Sequence, residues 1–191
     1  FLDDRAHLRP TVRLLLSLIM CLVIMQFLPA SIVSYFDFTF VGERISIAGW
    51  DLLFTIMALA GFVYAVNMTD GMNGLTIGAN LIWSLLLLAY APPQVEPLLV
   101  ALIGCLAVAL VFNLMGRHFL GDSGSYSLSI VVALLTTYSY RESGGVLHAD
   151  VVVAWFVIPV ADCIRLIIER MIKGRSPMSP DTDHFHHILR R

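Results

Sequence analysis

Charge is scarce in this chain. Of its 191 residues only 14% are Asp, Glu, Lys or Arg, against about 25% in ordinary soluble domains, so such a domain is excluded. The formal net charge of −2 carries little information, because the charges are segregated along the chain. No nucleic-acid partner is expected. Cysteine is equally sparse. Cys21, Cys105 and Cys163 fall inside apolar runs at spacings that fit neither a disulfide framework nor a zinc site, so they are expected to serve as small buried hydrophobes. Repeats and low-complexity tracts are missing as well.

What the chain has instead is apolar sequence. Hydrophobic residues make up 58%, arranged in blocks long enough for a hydrocarbon core, which takes about 20 residues. The fold class is all-α: a polytopic helical membrane protein with about six transmembrane helices. The spans are expected near 11–34, 50–66, 75–92, 97–115, 125–140 and 150–170. The second and fifth are short and should run through shielded positions. Residues 1–191 read as one integral membrane domain and an internal piece of a longer chain. They open on Phe1-Leu2-Asp3-Asp4 without an initiator Met and stop just after a histidine cluster.

Six spans divide the loops between two sides. One side carries 1–10, 67–74, 116–124 and 171–191, with Arg5, Arg9, Arg117, Lys173, Arg175, Arg190 and Arg191. The other carries 35–49, 93–96 and 141–149, with only Arg44 and Arg141. The excess of basic residues makes the first side cytoplasmic. Every polar motif falls on that side.

The first of these is Asp3-Asp4. Adjacent carboxylates beside a membrane suit a divalent cation or a proton transfer, or they are a solvated loop end. The second is Asn67-Met-Thr-Asp70-Gly-Met-Asn73-Gly-Leu75. Asn67, Asp70 and Asn73 recur every third position, so a continued helical turn would put their oxygens roughly on one face. In the third, Phe119-Leu-Gly-Asp122-Ser-Gly-Ser125, Asp122 is a helix N-cap or a metal ligand beside backbone N–H groups suited to phosphate. The fourth is His184-Phe185-His186-His187, which has no partner set at catalytic-zinc spacing. With Arg175, Arg190 and Arg191 it reads as an anion clamp or a solvated basic loop. Asp162 and Arg165, three apart in the last span, suit a structural ion pair at least as well as a functional role, and Arg170 is placed to reach a bound phosphate.

Together these motifs resemble those of the polyprenyl-phosphate N-acetylhexosamine-1-phosphate transferases. Asp3-Asp4 is similar to the family's acidic pair. Residues 67–75 are similar to its Asn-x-x-Asp-Gly-x-(Asp/Asn)-Gly-Leu segment, and Phe119-x-Gly-Asp122-x-Gly-Ser125 to its second acidic motif. The run from Lys173 through His184, His186 and His187 resembles the bacterial branch that uses UDP-N-acetylglucosamine.

The resemblance implies a multi-pass enzyme of the bacterial inner membrane with its site facing the cytoplasm. Its reaction transfers N-acetylhexosamine 1-phosphate, most simply N-acetylglucosamine 1-phosphate, from a UDP-sugar to undecaprenyl phosphate with release of UMP. That is the first membrane step of cell-envelope polysaccharide synthesis. The implied cofactor is Mg²⁺, with Mn²⁺ able to replace it. The implied partners are the UDP-N-acetylhexosamine, undecaprenyl phosphate, the bilayer and a second copy in a homodimer. By position, Asn67 and Asp122 would hold the metal, while Asp3, Asp4 and Asp122 would form the catalytic carboxylates. Asp70 and Asn73 would contact the nucleotide and Phe119 would stack on uracil. Arg170, His184, His186 and His187 would bind phosphate or sugar.

Asp3 is the residue the resemblance marks as a base. A phosphate monoester has a second pKa of about 6, so the lipid nucleophile is largely dianionic at neutral pH and leaves a base little to remove. Positioning and local field are therefore expected of Asp3 and Asp4 at least as much as proton transfer. The family's relatives have roughly ten or eleven helices, more than this chain carries. Two alternatives frame the reading. One is the phospho-N-acetylmuramoyl-pentapeptide transferase branch, which favours three consecutive histidines. The other is an ion or metal transporter with an acidic mouth, which predicts acids near the bilayer midplane.

Overall fold

The computed structural model describes residues 10–70 and 72–174. Among them the regular structure is helical: α1 (Pro10–Phe27), α2 (Asp51–Thr69), α3 (Leu75–Leu88), α4 (Glu96–Leu114), α5 (Gly121–Glu142) and α6 (Ala149–Ile172). The expected all-α class is observed. Helix α2 is central and packs on α1, α5 and α6, while α3 packs between α4 and α5.

By length and composition α2, α4 and α6 can cross a membrane, and α1 and α3 supply shorter apolar stretches. Among the described residues fewer spans meet that criterion than the six expected, and α5 shows why. It is long enough, yet carries a serine at every second position from 123 to 129. Those hydroxyls turn back onto their own helix: Ser127 Oγ donates to the Ser123 carbonyl (2.7 Å), Ser129 Oγ to Ser125 (2.6 Å) and Thr136 Oγ1 to Val132 (2.8 Å). These three hydroxyls are satisfied without water, which lets a hydroxyl-rich helix sit inside the bundle.

Helix α1 is shorter than the expected span 11–34. It stops at Phe27, because Pro29 has no N–H to extend the ladder and instead opens a 3₁₀ turn, Pro29–Ser31. Beyond it the chain forms a small antiparallel hairpin, β1 (Tyr35–Phe36) and β2 (Ile45–Ser46), with Tyr35 opposite Ser46 and Phe36 opposite Ile45. The hairpin is fastened to the α5–α6 connection. Tyr140 Oη accepts from the Asp37 amide (2.8 Å), Ala149 N–H donates to the Asp37 carbonyl (2.7 Å), and Arg44 reaches both the Asp37 carboxylate and the Gly144 carbonyl. Arg141 donates to the Ile32 carbonyl (2.8 Å). Loop 141–149 is thus half of a structured cap at one end of the bundle.

Two clusters of buried side chains lie beneath. The one in the middle joins Met25, Leu59, Phe62, Val66, Trp83 and Val132. Phe62, Trp83 and Phe156 meet pairwise at ring-centroid distances of 5.5, 4.4 and 5.1 Å, and the Trp83 indole N–H donates to the Trp155 carbonyl (2.9 Å). Each ring pair contributes about 0.5–1.5 kcal/mol beyond its buried area, so this trio firmly ties α2, α3 and α6. Cys21 and Cys163 are buried as expected, whereas Cys105 is exposed on the outer face of α4. Helix α4 also exposes Leu98, Val100, Val108 and Val111, an apolar surface suited to lipid.

Candidate functional site

At the end of the bundle opposite the hairpin, α2 runs out at Thr69. Asp70 leaves the helix with φ −75° and ψ 62°, and α3 restarts only after Gly74. The expected helical turn through Asn67, Asp70 and Asn73 is therefore not made. The three do not share one helix face, and Asn73 is exposed on the connecting turn. Gly74 adopts φ +86°, a left-handed conformation that L side chains rarely take, and this lets the chain reverse directly into α3.

Asn67 and Asp122 meet although they are far apart in sequence. Asn67 Nδ2 donates to Ser125 Oγ (2.7 Å) and lies 3.4 Å from Asp122 Oδ1. Ser125 Oγ in turn donates to the Asp122 carbonyl (3.1 Å). With its NH₂ group committed to Ser125, the Asn67 carboxamide has its oxygen left for a ligand. Ser125 is fully buried and was legible only as the last letter of the acidic motif.

Helix α5 begins at Gly121, four residues before the expected boundary, with Leu120 as N-cap and no side-chain cap bond there. Asp122 thus sits inside the first turn and is not the cap. Gly121, at φ +64°, makes the bend that delivers it there. A carboxylate in the first turn is favoured by the helix dipole, and the unsatisfied N–H groups beside it suit an anion.

Burial pushes the Asp70 carboxyl above the usual carboxylate range. The Thr76 hydroxyl, near it without closing a full hydrogen bond, offsets part of that rise, and the negative charge of Asp122 adds to it. Because the folded pKa is raised, ionised Asp70 costs stability: the native state is favoured below the unfolded pKa, and that advantage is lost as pH rises through the folded one. Asp70→Asn is therefore expected to raise the thermal unfolding midpoint at neutral pH in chelator. The gain should shrink toward zero as pH falls below the ordinary carboxylate range, where Asp70 is neutral in both the folded and the unfolded wild type. A pH-independent difference between the two proteins in detergent melts would contradict this origin.

Phe119 is 71% exposed beside this acidic corner, so its ring is available for stacking. Arg170 is buried near the end of α6, two turns beyond Cys163 on the same face. Cys163 Sγ lies 3.6 Å from Met68 Sδ, which sets this stretch of α6 against the end of α2. The Asp162–Arg165 ion pair is formed (2.9 Å) and continues through Glu169 to Lys173. Arg165 is 40% exposed, so the ladder runs along the flank of α6 and serves the helix. Asp3, Asp4, His184, His186 and His187 lie outside the described residues.

The carboxylates of Asp70 and Asp122, with the amide oxygen of Asn67, form a set of hard donors that suits a divalent cation. Among the described residues no group of three or more His, Cys, Asp or Glu could enclose a metal alone. A cation at Asn67 and Asp122 would then share its shell with oxygens of a ligand or water, as Mg²⁺ commonly does.

A further feature is a long apolar groove of about 640 Å³ between α2 and α6, closed at one side by the end of α5. Met57, Gly61 and Ala65 line it from α2, and Val153, Val157 and Ile164 from α6. It runs from beneath the hairpin toward Cys163 and Ile167, at the end where Asn67 and Asp122 meet.

Comparison with known proteins adds the family. The chain is 25% identical over 194 residues to the "Probable undecaprenyl-phosphate N-acetylglucosaminyl 1-phosphate transferase" of Bacillus subtilis, covering 98% of this chain and 53% of that protein. It is 30% identical over 164 residues to the decaprenyl-phosphate N-acetylglucosaminephosphotransferase of Mycobacterium tuberculosis (72% of this chain, 40% of the relative). It is 26% identical over 202 residues to the undecaprenyl-phosphate alpha-N-acetylglucosaminyl 1-phosphate transferase of Escherichia coli (100% and 54%). The chain thus spans about half the length of the curated relatives it matches, or less. The profile of glycosyl transferase family 4 matches residues 1–140, a stretch that holds the Asn67–Asp70 turn, Asp122 and Ser125. By that match, and by the meeting of its two acidic segments at one end of a helical bundle, the chain belongs to glycosyl transferase family 4.

Proposed function

We propose that the parent protein transfers N-acetylhexosamine 1-phosphate, most simply N-acetylglucosamine 1-phosphate, from a UDP-sugar to a polyprenyl phosphate. The observation that carries this reading is the Asn67–Ser125–Asp122 contact. It joins two motifs 55 residues apart into one corner of hard oxygen donors beside a helix N-terminus and an exposed aromatic ring. The relatives' names supply the chemistry such a corner would serve.

In this reading Phe119 stacks on the uracil, and Asp70 and Asn73 contact the nucleotide. Asn67 and Asp122 hold Mg²⁺, or Mn²⁺ in its place, which when bound neutralises charge on the pyrophosphate. The N–H groups at the start of α5 face the same phosphates. Arg170 binds a phosphate oxygen in this reading, a role supported by its burial near the end of α6. The groove between α2 and α6 takes the polyprenyl tail and ends beside the corner, so the lipid phosphate arrives where the sugar nucleotide lies.

An oxygen of the lipid phosphate then forms a bond to the β-phosphorus. The β-phosphorus–oxygen bridge to the α-phosphate breaks, and the electron pair leaves with UMP. With a dianionic nucleophile, catalysis comes from alignment and charge stabilisation more than from a base. In this reading the site faces the cytoplasm of a bacterial inner membrane, which the excess of basic residues in the sequence segments 1–10, 67–74, 116–124 and 171–191 supports.

The test is UMP release by the full-length protein in nanodiscs, given undecaprenyl phosphate, Mg²⁺ and a panel of UDP-sugars. Release with UDP-N-acetylglucosamine is the expected result. Release with UDP-N-acetylmuramoyl-pentapeptide alone would move the protein to the neighbouring branch, and no UMP with any of them would end the reading.

A further inference from the structure

Asn113 has no part in the chemistry above, yet it is buried at 5% exposure near the end of α4. Its carboxamide spans two loops. Oδ1 accepts from the Gly74 amide by a short hydrogen bond, and Nδ2 donates to the His118 carbonyl (2.7 Å). Gly74 ends the turn that carries Asp70 and Asn73. His118 immediately precedes Phe119 and opens the approach to Asp122.

The ground beneath Asn113 is fixed. Arg117 N–H donates to the Phe112 carbonyl (2.9 Å) and Gly116 N–H to the Asn113 carbonyl (3.0 Å), the paired bonds of a Schellman helix end. The Asp70–Gly74 turn also rests on this end of α4: a Cβ at Gly74 would fall 2.6 Å from Leu114 Cδ2. One side chain on a rigid helix end therefore sets the relation between the two segments.

We propose that Asn113 is a positioning residue that holds the 70–74 turn and the 117–122 loop at one fixed separation, and so sets the width of the nucleotide site. The residue type follows from the task. The turn offers a donor and the loop an acceptor, and a carboxamide supplies the matching acceptor and donor side by side. Aspartate keeps the bond from Gly74 but sets a negative oxygen against the His118 carbonyl. Alanine loses both bonds. The kinetic half of this inference rests on the proposed nucleotide-sugar reading, and the structural half stands without it.

The experiment compares full-length wild type, Asn113→Ala and Asn113→Asp in nanodiscs, by peptide-level hydrogen exchange and by steady-state kinetics. In Asn113→Ala, exchange should rise about tenfold to a hundredfold in both 72–76 and 116–122, while 126–139 within α5 stays protected. In Asn113→Asp the rise should concentrate in 116–122. The KM for the UDP-sugar should rise about tenfold in Asn113→Ala, with the KM for polyprenyl phosphate and the melting midpoint little changed. Unchanged exchange in both loops, or an Asn113→Asp pattern identical to that of Asn113→Ala, would overturn the proposal. So would an equal loss toward both substrates. If Asn113→Ala does not fold, Asn113→Asp alone still decides by where its exchange rises. If the wild type releases no UMP, the functional reading fails and the exchange arm judges the staple separately.

Discussion

Asp122→Asn is expected to lower UMP release by about 10³-fold or more while leaving the fold intact. Losing a single preorganised donor to developing charge costs enzymes about 10²–10³ in kcat. Asp122 has more than that to lose, because it supplies a full negative charge beside Asn67 and Ser125 and, in the proposed reading, one of two metal ligands. The substitution is nearly isosteric. It also removes the like charge that adds to the cost of ionising Asp70, so the unfolding midpoint should stay level or rise. An inactive protein that melts at or above the wild-type temperature separates a catalytic loss from a folding loss. Activity within about tenfold of wild type would remove Asp122 from the reaction.

The second large effect concerns the groove. Gly61→Trp stands an indole in its middle, and nothing lies within 4 Å of where the new Cβ would sit, so the ring enters open space rather than the core. The KM for a long polyprenyl phosphate should rise about tenfold to a hundredfold, because the tail must leave part of its apolar surface unburied. The KM for the UDP-sugar should hold, since Gly61 lies well away from Asp122. A lipid phosphate too short to reach Gly61 should be used equally well by both proteins. Equal KM values for the long lipid would mean that the tail binds elsewhere.

These two predictions draw on features that were unequally visible in the sequence. The helices α2, α4 and α6 could be read because each is an apolar run of spanning length. The early end of α1 was written in Pro29, but the apolar residues after it masked the stop; Ile32 packs on the central cluster and Val33 on the cluster beneath the hairpin. Strands of two residues have too little alternation to announce themselves. For the site, motif identity named Asn67, Asp70 and Asp122, yet the every-third-residue spacing misled. Helix α2 ends before Asp70, and the contact that matters crosses 55 positions to α5. Asn113 left one trace, a single amide among Val, Phe, Leu and Met at a helix end. Its two partners are backbone groups, which no side-chain pattern can reveal.

The central claim is that this corner serves attack on the β-phosphorus of a nucleotide sugar by a lipid phosphate. The most direct measurement follows phosphorus label from UDP-N-acetylglucosamine in the full-length protein with undecaprenyl phosphate. The account predicts that label from the β position enters the lipid fraction while label from the α position leaves as UMP. Release of both labels together as UDP would mean that the bare sugar is transferred, and it would contradict the account.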